Sequence, residues 1–127
     1  MNTISAYNNN KTSFGAFNQP SKAVINHFSD AIRVLNPENR QKFVTEVDKL
    51  VKSAADCPVP IEHKIISSYS EYYAPVVRGK TIISDKKHNC VANYILDVMT
   101  RAVNYAKDVA DADANIATVK KIFNFQG

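Results

Sequence analysis

The chain has few of the residues from which common catalytic motifs are built. Only three glycines occur in 127 residues, Gly15, Gly79 and Gly127, which leaves no room for a glycine-rich phosphate-binding loop. Neither a G-x-S-x-G elbow nor an H-E-x-x-H helix is present, so the commonest hydrolase signatures are excluded as well. We therefore favour a non-catalytic protein and expect no cofactor.

The sequence also lacks long apolar runs. No stretch approaches the roughly 20 apolar residues that span a bilayer, and residues 1–20 have no apolar run of the kind found in a secretory signal peptide. We expect a cytoplasmic protein that does not enter a membrane. The net charge of +4 comes from basic residues spread along the chain, which does not by itself indicate nucleic acid.

Cysteine is scarce, and the two present, Cys57 and Cys90, are too few for a disulfide framework. With His63 and His88 they make up a tetrahedral zinc ligand set, but their spacing does not match the paired ligands of common zinc motifs. A nucleophilic Cys90 near a helix N-terminus, with His27, His63 or His88 as base, is the enzymatic alternative. Separate packed thiols and surface histidines are the simpler interpretation, so we predict no metal site.

Residues 1–20 are rich in Asn, Ser and Thr and show no helical or strand periodicity. This composition predicts a flexible polar leader, followed by a single globular domain over residues 21–127. Phe14 and Phe17 stand out within the leader, and they either dock on the domain itself or contact a partner. The leader resembles the unstructured N-terminal signals of bacterial proteins exported by specialised injection systems, which implies export as an alternative location. Abundant Asn, Lys and Ile favour a bacterial or phage origin.

Two helices are predicted after the leader. Ser21 is a suitable N-cap for a helix that runs to about Leu35, and Asn36 followed by Pro37 begins a second helix that ends near Ala55. The short connection predicts an antiparallel helical hairpin. A long helix is predicted later, capped by Asp85 or Asn89, with one apolar stripe made of Val91, Ile95, Val98, Ala102, Tyr105 and Val109. Asp111 and Asp113 are predicted to interrupt it, and Asp113 to cap a last helix that carries Ile116, Val119 or Lys120, and Phe123.

Between Cys57 and Asp85, prolines and β-branched residues predict a small antiparallel sheet. A hairpin is centred on Arg78 and Gly79, because Gly accepts the positive φ of a tight turn. The spacing over 61–72 fits a helix as well as a strand, so that segment stays ambiguous. The predicted fold is α+β and mainly helical, with the antiparallel helix hairpin, the small antiparallel sheet and the long C-terminal helix sharing one core.

Aromatic and basic residues are concentrated in the sheet region and define the candidate binding site. The leading hypothesis is a protein-interaction protein that binds a protein partner through Tyr69, Tyr72, Tyr73, Arg78, Lys80, Phe14 and Phe17. The alternative is single-stranded nucleic acid, stacked on the tyrosines and neutralised by the Arg and Lys residues together with Lys86 and Lys87. The sequence does not indicate an oligomeric state.

Overall fold

The structure, a computed structural model, describes residues 15–124. Within this range the elements are α1 Lys22–Arg33, α2 Pro37–Ser53, β1 Ile65–Ser67, β2 Glu71–Tyr73, β3 Val76–Val77, β4 Lys80–Thr81 and α3 Val91–Ile122. This architecture is the α+β, mainly helical fold predicted from the sequence. None of the helices in the described range is both long and apolar enough to cross a membrane.

The helical hairpin begins at the caps that its sequence predicts. The Ser21 hydroxyl accepts a hydrogen bond from the amide of Val24 at 3.3 Å, and the Asn36 side chain accepts one from the amide of Asn39 at 2.9 Å. Pro37 occupies the first turn of α2, where its missing N–H has no intrahelical partner to lose. Both helix ends fall two residues short of the predicted limits.

The sheet region consists of two separate two-stranded antiparallel sheets. In the first, Ile65 pairs with Tyr73 and Ile66 with Tyr72, so the segment 61–72 is extended and not helical. The second is the predicted hairpin, in which Val77 pairs with Lys80. Its two turn residues, Arg78 and Gly79, have φ values of 52° and 79°, as a type I′ turn requires.

The long helix α3 differs from the prediction at both ends. Cys90, not Asp85 or Asn89, stands at its N-cap and makes no side-chain capping bond. No break occurs at Asp111 or Asp113, and one helix of 32 residues replaces the two predicted. The aspartates do not cap because their carboxylates have other partners: Asp111 accepts from Asn115 and Asp113 accepts from Arg78. Alanine, the strongest helix former, alternates with them and favours continuation.

One hydrophobic core joins the helices and the sheets, as predicted. Its largest fully buried side chains include Tyr73, Ile61, Ile95 and Met99. Residues 15–20, upstream of the predicted domain boundary, lie against the body. Phe17 is 3% exposed and forms a parallel bridge with Ile61. Burying a side chain of this size contributes roughly 1.5–3 kcal/mol, so Phe17 anchors this end of the described chain.

Candidate protein-interaction surface

The C-terminal third of α3 projects from the body. Val109 and Ala110 are the last residues packed on the core, and every residue from 111 to 124 is exposed. We call residues 111–123 the helix extension. It carries large apolar side chains that are 53–77% exposed: Ile116, Val119, Ile122 and Phe123. Exposed apolar side chains gathered on one helix face are typical of an interaction site.

The apolar face of the helix extension continues one row of apolar residues along α3, and part of this row packs on the core. Apolar positions recur at alternating intervals of four and three residues over the whole helix and its C-cap. They are Val91, Ile95, Val98, Ala102, Tyr105, Val109, Ala112, Ile116, Val119 and Phe123. This 3.5-residue repeat is the pattern by which one helix packs lengthwise on another. Ile95, Val98 and Ala102 are fully buried in the protein's own core, whereas the face beyond Val109 is left uncovered.

Charge along the end of α3 changes sign. Asp108, Asp111 and Asp113 precede the exposed apolar positions, and Lys120 and Lys121 follow them. Asp113 accepts a hydrogen bond from the Arg78 guanidinium at 2.5 Å, which links the β3–β4 hairpin to the base of the helix extension. Both side chains of this ion pair are about half exposed, so its contribution to stability is small.

The structure separates the tyrosines that the sequence grouped together. Tyr69 is fully exposed between β1 and β2, Tyr72 is half-buried with its ring edge-on to Tyr94, and Tyr73 is completely buried. Tyr72 and Tyr73 are adjacent in one strand and therefore point to opposite faces. These rings do not form one platform on which successive bases could stack.

The predicted basic residues are partly committed to contacts within the protein. Arg78 is paired with Asp113, and the Lys80 ammonium lies 4.6 Å from the centroid of the Tyr105 ring. Lys86 and Lys87 are exposed in the loop before α3. Arg78 and Lys80 of the alternative nucleic-acid hypothesis are thus engaged in contacts with Asp113 and Tyr105.

Phe17 and Tyr73 belong to a buried aromatic network instead of a surface. The His63 ring stacks on Phe17 with centroids 5.6 Å apart, and its Nδ1 accepts a hydrogen bond from the Tyr73 hydroxyl at 2.7 Å. Burial raises the pKa of Tyr73 far above its ordinary value, so the hydroxyl stays a donor. Burial also lowers the pKa of His63, against the opposing effect of a hydrogen bond to the backbone of Asn18. Phe14 lies outside the described residues.

The four candidate zinc ligands are not assembled. His63 is held by Tyr73, and His88 contacts Asp97 through Nε2 at 3.1 Å. Cys57 and Cys90 are free thiols, each half-buried. Within residues 15–124 no group of three or more His, Cys, Asp or Glu side chains is arranged to hold a metal ion.

A second polar cluster joins the loop before α3 to the helix itself. Asp97 Oδ1 accepts from Arg101 Nε at 3.0 Å, Asp97 Oδ2 faces His88, and Ser84 Oγ lies 3.5 Å from His88 Nε2. A hydrogen bond from Ser84, followed by the bond and charge of Arg101, lowers the pKa of Asp97 despite partial burial. A Ser-His-Asp relay needs the serine and the carboxylate on different ring nitrogens. Here both approach Nε2, so the cluster fits an anchoring role and not acyl transfer.

Comparison with known protein families, with curated proteins and with solved structures found no match to this chain. The helix extension differs from the sequence prediction, which places Ile116, Val119 or Lys120, and Phe123 on a separate last helix after Asp113. The signal was present in the sequence. The four-and-three spacing from Val91 passes Asp111 and Asp113 without interruption, and extending the stripe through them identifies the surface.

Proposed function

We propose that this protein is a non-catalytic interaction protein that engages a protein partner through the apolar face of the helix extension. One observation carries the proposal: Ile116, Val119 and Phe123 continue, at heptad spacing, the row of α3 that contains the buried Ile95, Val98 and Ala102, and they are 53%, 53% and 77% exposed. A partner helix that packs along this face would cover Ile116, Val119 and Phe123, as the body covers Ile95, Val98 and Ala102.

The chemistry of the surface favours protein over nucleic acid. Its centre is aliphatic and aromatic, and three aspartates, Asp108, Asp111 and Asp113, lie at its base. Nucleic acid requires a continuous basic surface that neutralises phosphates. The Lys80 ammonium lies over Tyr105, and Arg78 pairs with one of these aspartates. Tyr69 is an exposed aromatic in the bend between β1 and β2, available for an additional contact.

A photo-activated cross-linking amino acid placed on the helix extension tests the proposal in the native cells of the protein. At position 119 it should give a protein adduct, because this position lies on the apolar face. At position 114, on the opposite face of the same helix turns, it should give much less. The substitution pair Ile116→Glu and Val119→Glu tests the same face by removing its apolar character. This pair should abolish the adduct formed from a probe at position 112.

The matched control carries the same two added charges on the other face, as Ala114→Glu with Thr118→Glu, and should keep the adduct. Equal yields from positions 119 and 114, or an adduct that survives the substitutions at 116 and 119, would rule out this surface. An adduct to nucleic acid from position 119 would replace a protein partner with a nucleic-acid one.

A further inference from the structure

We infer that the partner on the helix extension is the same segment of a second copy of this chain, packed antiparallel. The inference rests on the proposed function, since it uses the same surface and names its occupant. Three features of the described residues support it: the sizes of the apolar side chains, the order of the charges, and the place where the body covers the stripe.

The side-chain sizes along the helix extension are complementary when the helix is paired with itself in reverse. If Ile116 of one copy lies opposite Val119 of the other, the next layer outward pairs Ala112 with Phe123. The smallest apolar residue of the helix extension thus faces the largest at both ends of the pair. A parallel pair would instead place Phe123 against Phe123 and leave a gap between two Ala112 side chains, which costs stability at close-packed interfaces.

The order of charges selects the same orientation. Asp108, Asp111 and Asp113 lie toward the body, and Lys120 and Lys121 lie toward the tip. Antiparallel packing brings the acidic part of one copy beside the basic part of the other at both ends, whereas parallel packing brings like charges together. Electrostatic complementarity of this kind mainly sets orientation and specificity.

The body of the protein blocks the parallel arrangement. Between Ile95 and Val109 the stripe packs on the protein's own core, so a second helix running parallel along it would collide with the body. In the antiparallel pair, Phe123 of the second copy reaches Ala112, just where the covered part of the stripe ends. The two helix extensions then overlap over about 16 Å, at 1.5 Å per residue. The bodies lie at opposite ends of the pair.

The first test is the mass of the purified full chain in analytical ultracentrifugation, from micromolar to millimolar concentration. The weight-average mass should rise with concentration from 14.1 kDa toward twice that value. Ile116→Glu with Val119→Glu should raise the dissociation constant at least tenfold. The control pair Ala114→Glu with Thr118→Glu should change it less than threefold. A dimer that is insensitive to the substitutions at 116 and 119 would overturn the inference.

The second test fixes orientation by disulfide cross-linking in a chain that carries Cys57→Ser and Cys90→Ser, so that only engineered thiols react. A mixture of one chain with Ala112→Cys and another with Phe123→Cys should cross-link on mild oxidation. Either chain alone should not, because equal positions are about 16 Å apart in an antiparallel overlap. Cross-linking of the Ala112→Cys chain to itself would show parallel packing and overturn the inference.

The two proposals fail in different ways. A chain that stays monomeric at every concentration overturns self-association. In that case a position-119 adduct to a different protein in native cells still supports the interaction surface. A monomer that also lacks any position-119 adduct overturns both.

Discussion

The Tyr73 hydroxyl donates a 2.7 Å hydrogen bond to Nδ1 of His63, inside an aromatic cluster that also contains Phe17. This bond ties β2 to the segment just before β1, against which Phe17 packs. We assign the ring proton of His63 to the nitrogen opposite Nδ1, because Nδ1 faces the Tyr73 hydroxyl and the imidazole also has a hydrogen bond with the backbone of Asn18. His63 thus connects the start of the described chain to the core in its neutral form.

Removing the hydroxyl should weaken this connection measurably. Tyr73→Phe keeps the ring and its edge-on contact with Phe28 but leaves Nδ1 of His63 without its donor. An unpaired buried acceptor costs about 1–3 kcal/mol, and we expect the free energy of unfolding to fall by that amount in urea titrations. Tyr72→Phe is the control, because Tyr72 is half-buried and its hydroxyl has no hydrogen bond within residues 15–124. It should cost less than about 0.5 kcal/mol.

Acid should destabilise the fold through His63. Burial lowers its pKa below the ordinary 6.5, so the unfolded chain takes up a proton more readily than the folded one. The contribution of His63 to the free energy of unfolding should therefore not change with pH above 6.5. It should decrease as the pH falls from 6.5 toward the pKa of His63 in the folded protein. Urea titrations at a series of pH values measure this slope. His63→Gln should flatten it in that window, and an unchanged slope would contradict the assignment.

Two glycines with positive φ should respond differently to alanine. A Cβ on Gly15 would lie 2.6 Å from the Cα of Ala55, whereas a Cβ on Gly79 meets nothing within 4 Å. Gly79→Ala should lower the free energy of unfolding by about 1 kcal/mol, because alanine disfavours the positive φ of this position. Gly15→Ala adds a backbone clash, so we expect about 2–4 kcal/mol. Chemical denaturation of the two variants compares them directly. Equal losses would show that residues 15–17 do not pack tightly on the end of α2.

Asp97 should stabilise the fold only when it is ionised. Hydrogen bonds and the Arg101 charge lower its pKa below 3.8, so its contribution is full above that value and disappears as the pH falls through the folded pKa. Asp97→Asn should reduce the free energy of unfolding by about 1–3 kcal/mol at neutral pH. The difference from the original protein should vanish in strong acid. Asp108→Asn, at an exposed position of the same helix, should stay within about 0.5 kcal/mol at both extremes.

Substitutions on the apolar face of the helix extension should affect stability only through association. Residues 111–123 make no contribution to the buried core, so Ile116→Glu with Val119→Glu should leave the unfolding free energy of the dilute protein unchanged within about 0.5 kcal/mol. The melting temperature of the original chain should rise with protein concentration, because association stabilises the folded state by mass action. The variant should lose that dependence. A large loss in dilute solution would place these side chains in the core.

The sequence predicted local features well because they depend on neighbouring residues. Ser21 and Asn36 cap their helices, and Arg78 and Gly79 form a tight hairpin turn. It did not predict that Asp113 would bind Arg78, because a contact between residues 35 positions apart depends on the tertiary fold. Without that partner, the sequence favours Asp113 as an N-cap and therefore predicts a helix break at this residue.

The candidate site was harder to predict for a related reason. Tyr69, Tyr72 and Tyr73 are close in sequence, but a turn and the alternation of a strand place them in three environments. Phe17 and Tyr73 fill the core, a role that aromatic residues serve as readily as binding. For Ile116 and Val119 the spacing was visible in the sequence. Their exposure was not, since it depends on where the body ends along α3.

Hydrogen exchange of the α3 backbone amides, followed at low and high protein concentration, tests the interaction surface most directly. Amides from residue 112 to residue 122 should exchange fast in dilute solution and become protected as the protein concentration rises, while those from 95 to 106 should be protected throughout. Ile116→Glu with Val119→Glu should remove the concentration dependence. Exchange over 112–122 that is equally fast at every concentration would contradict self-association through the helix extension.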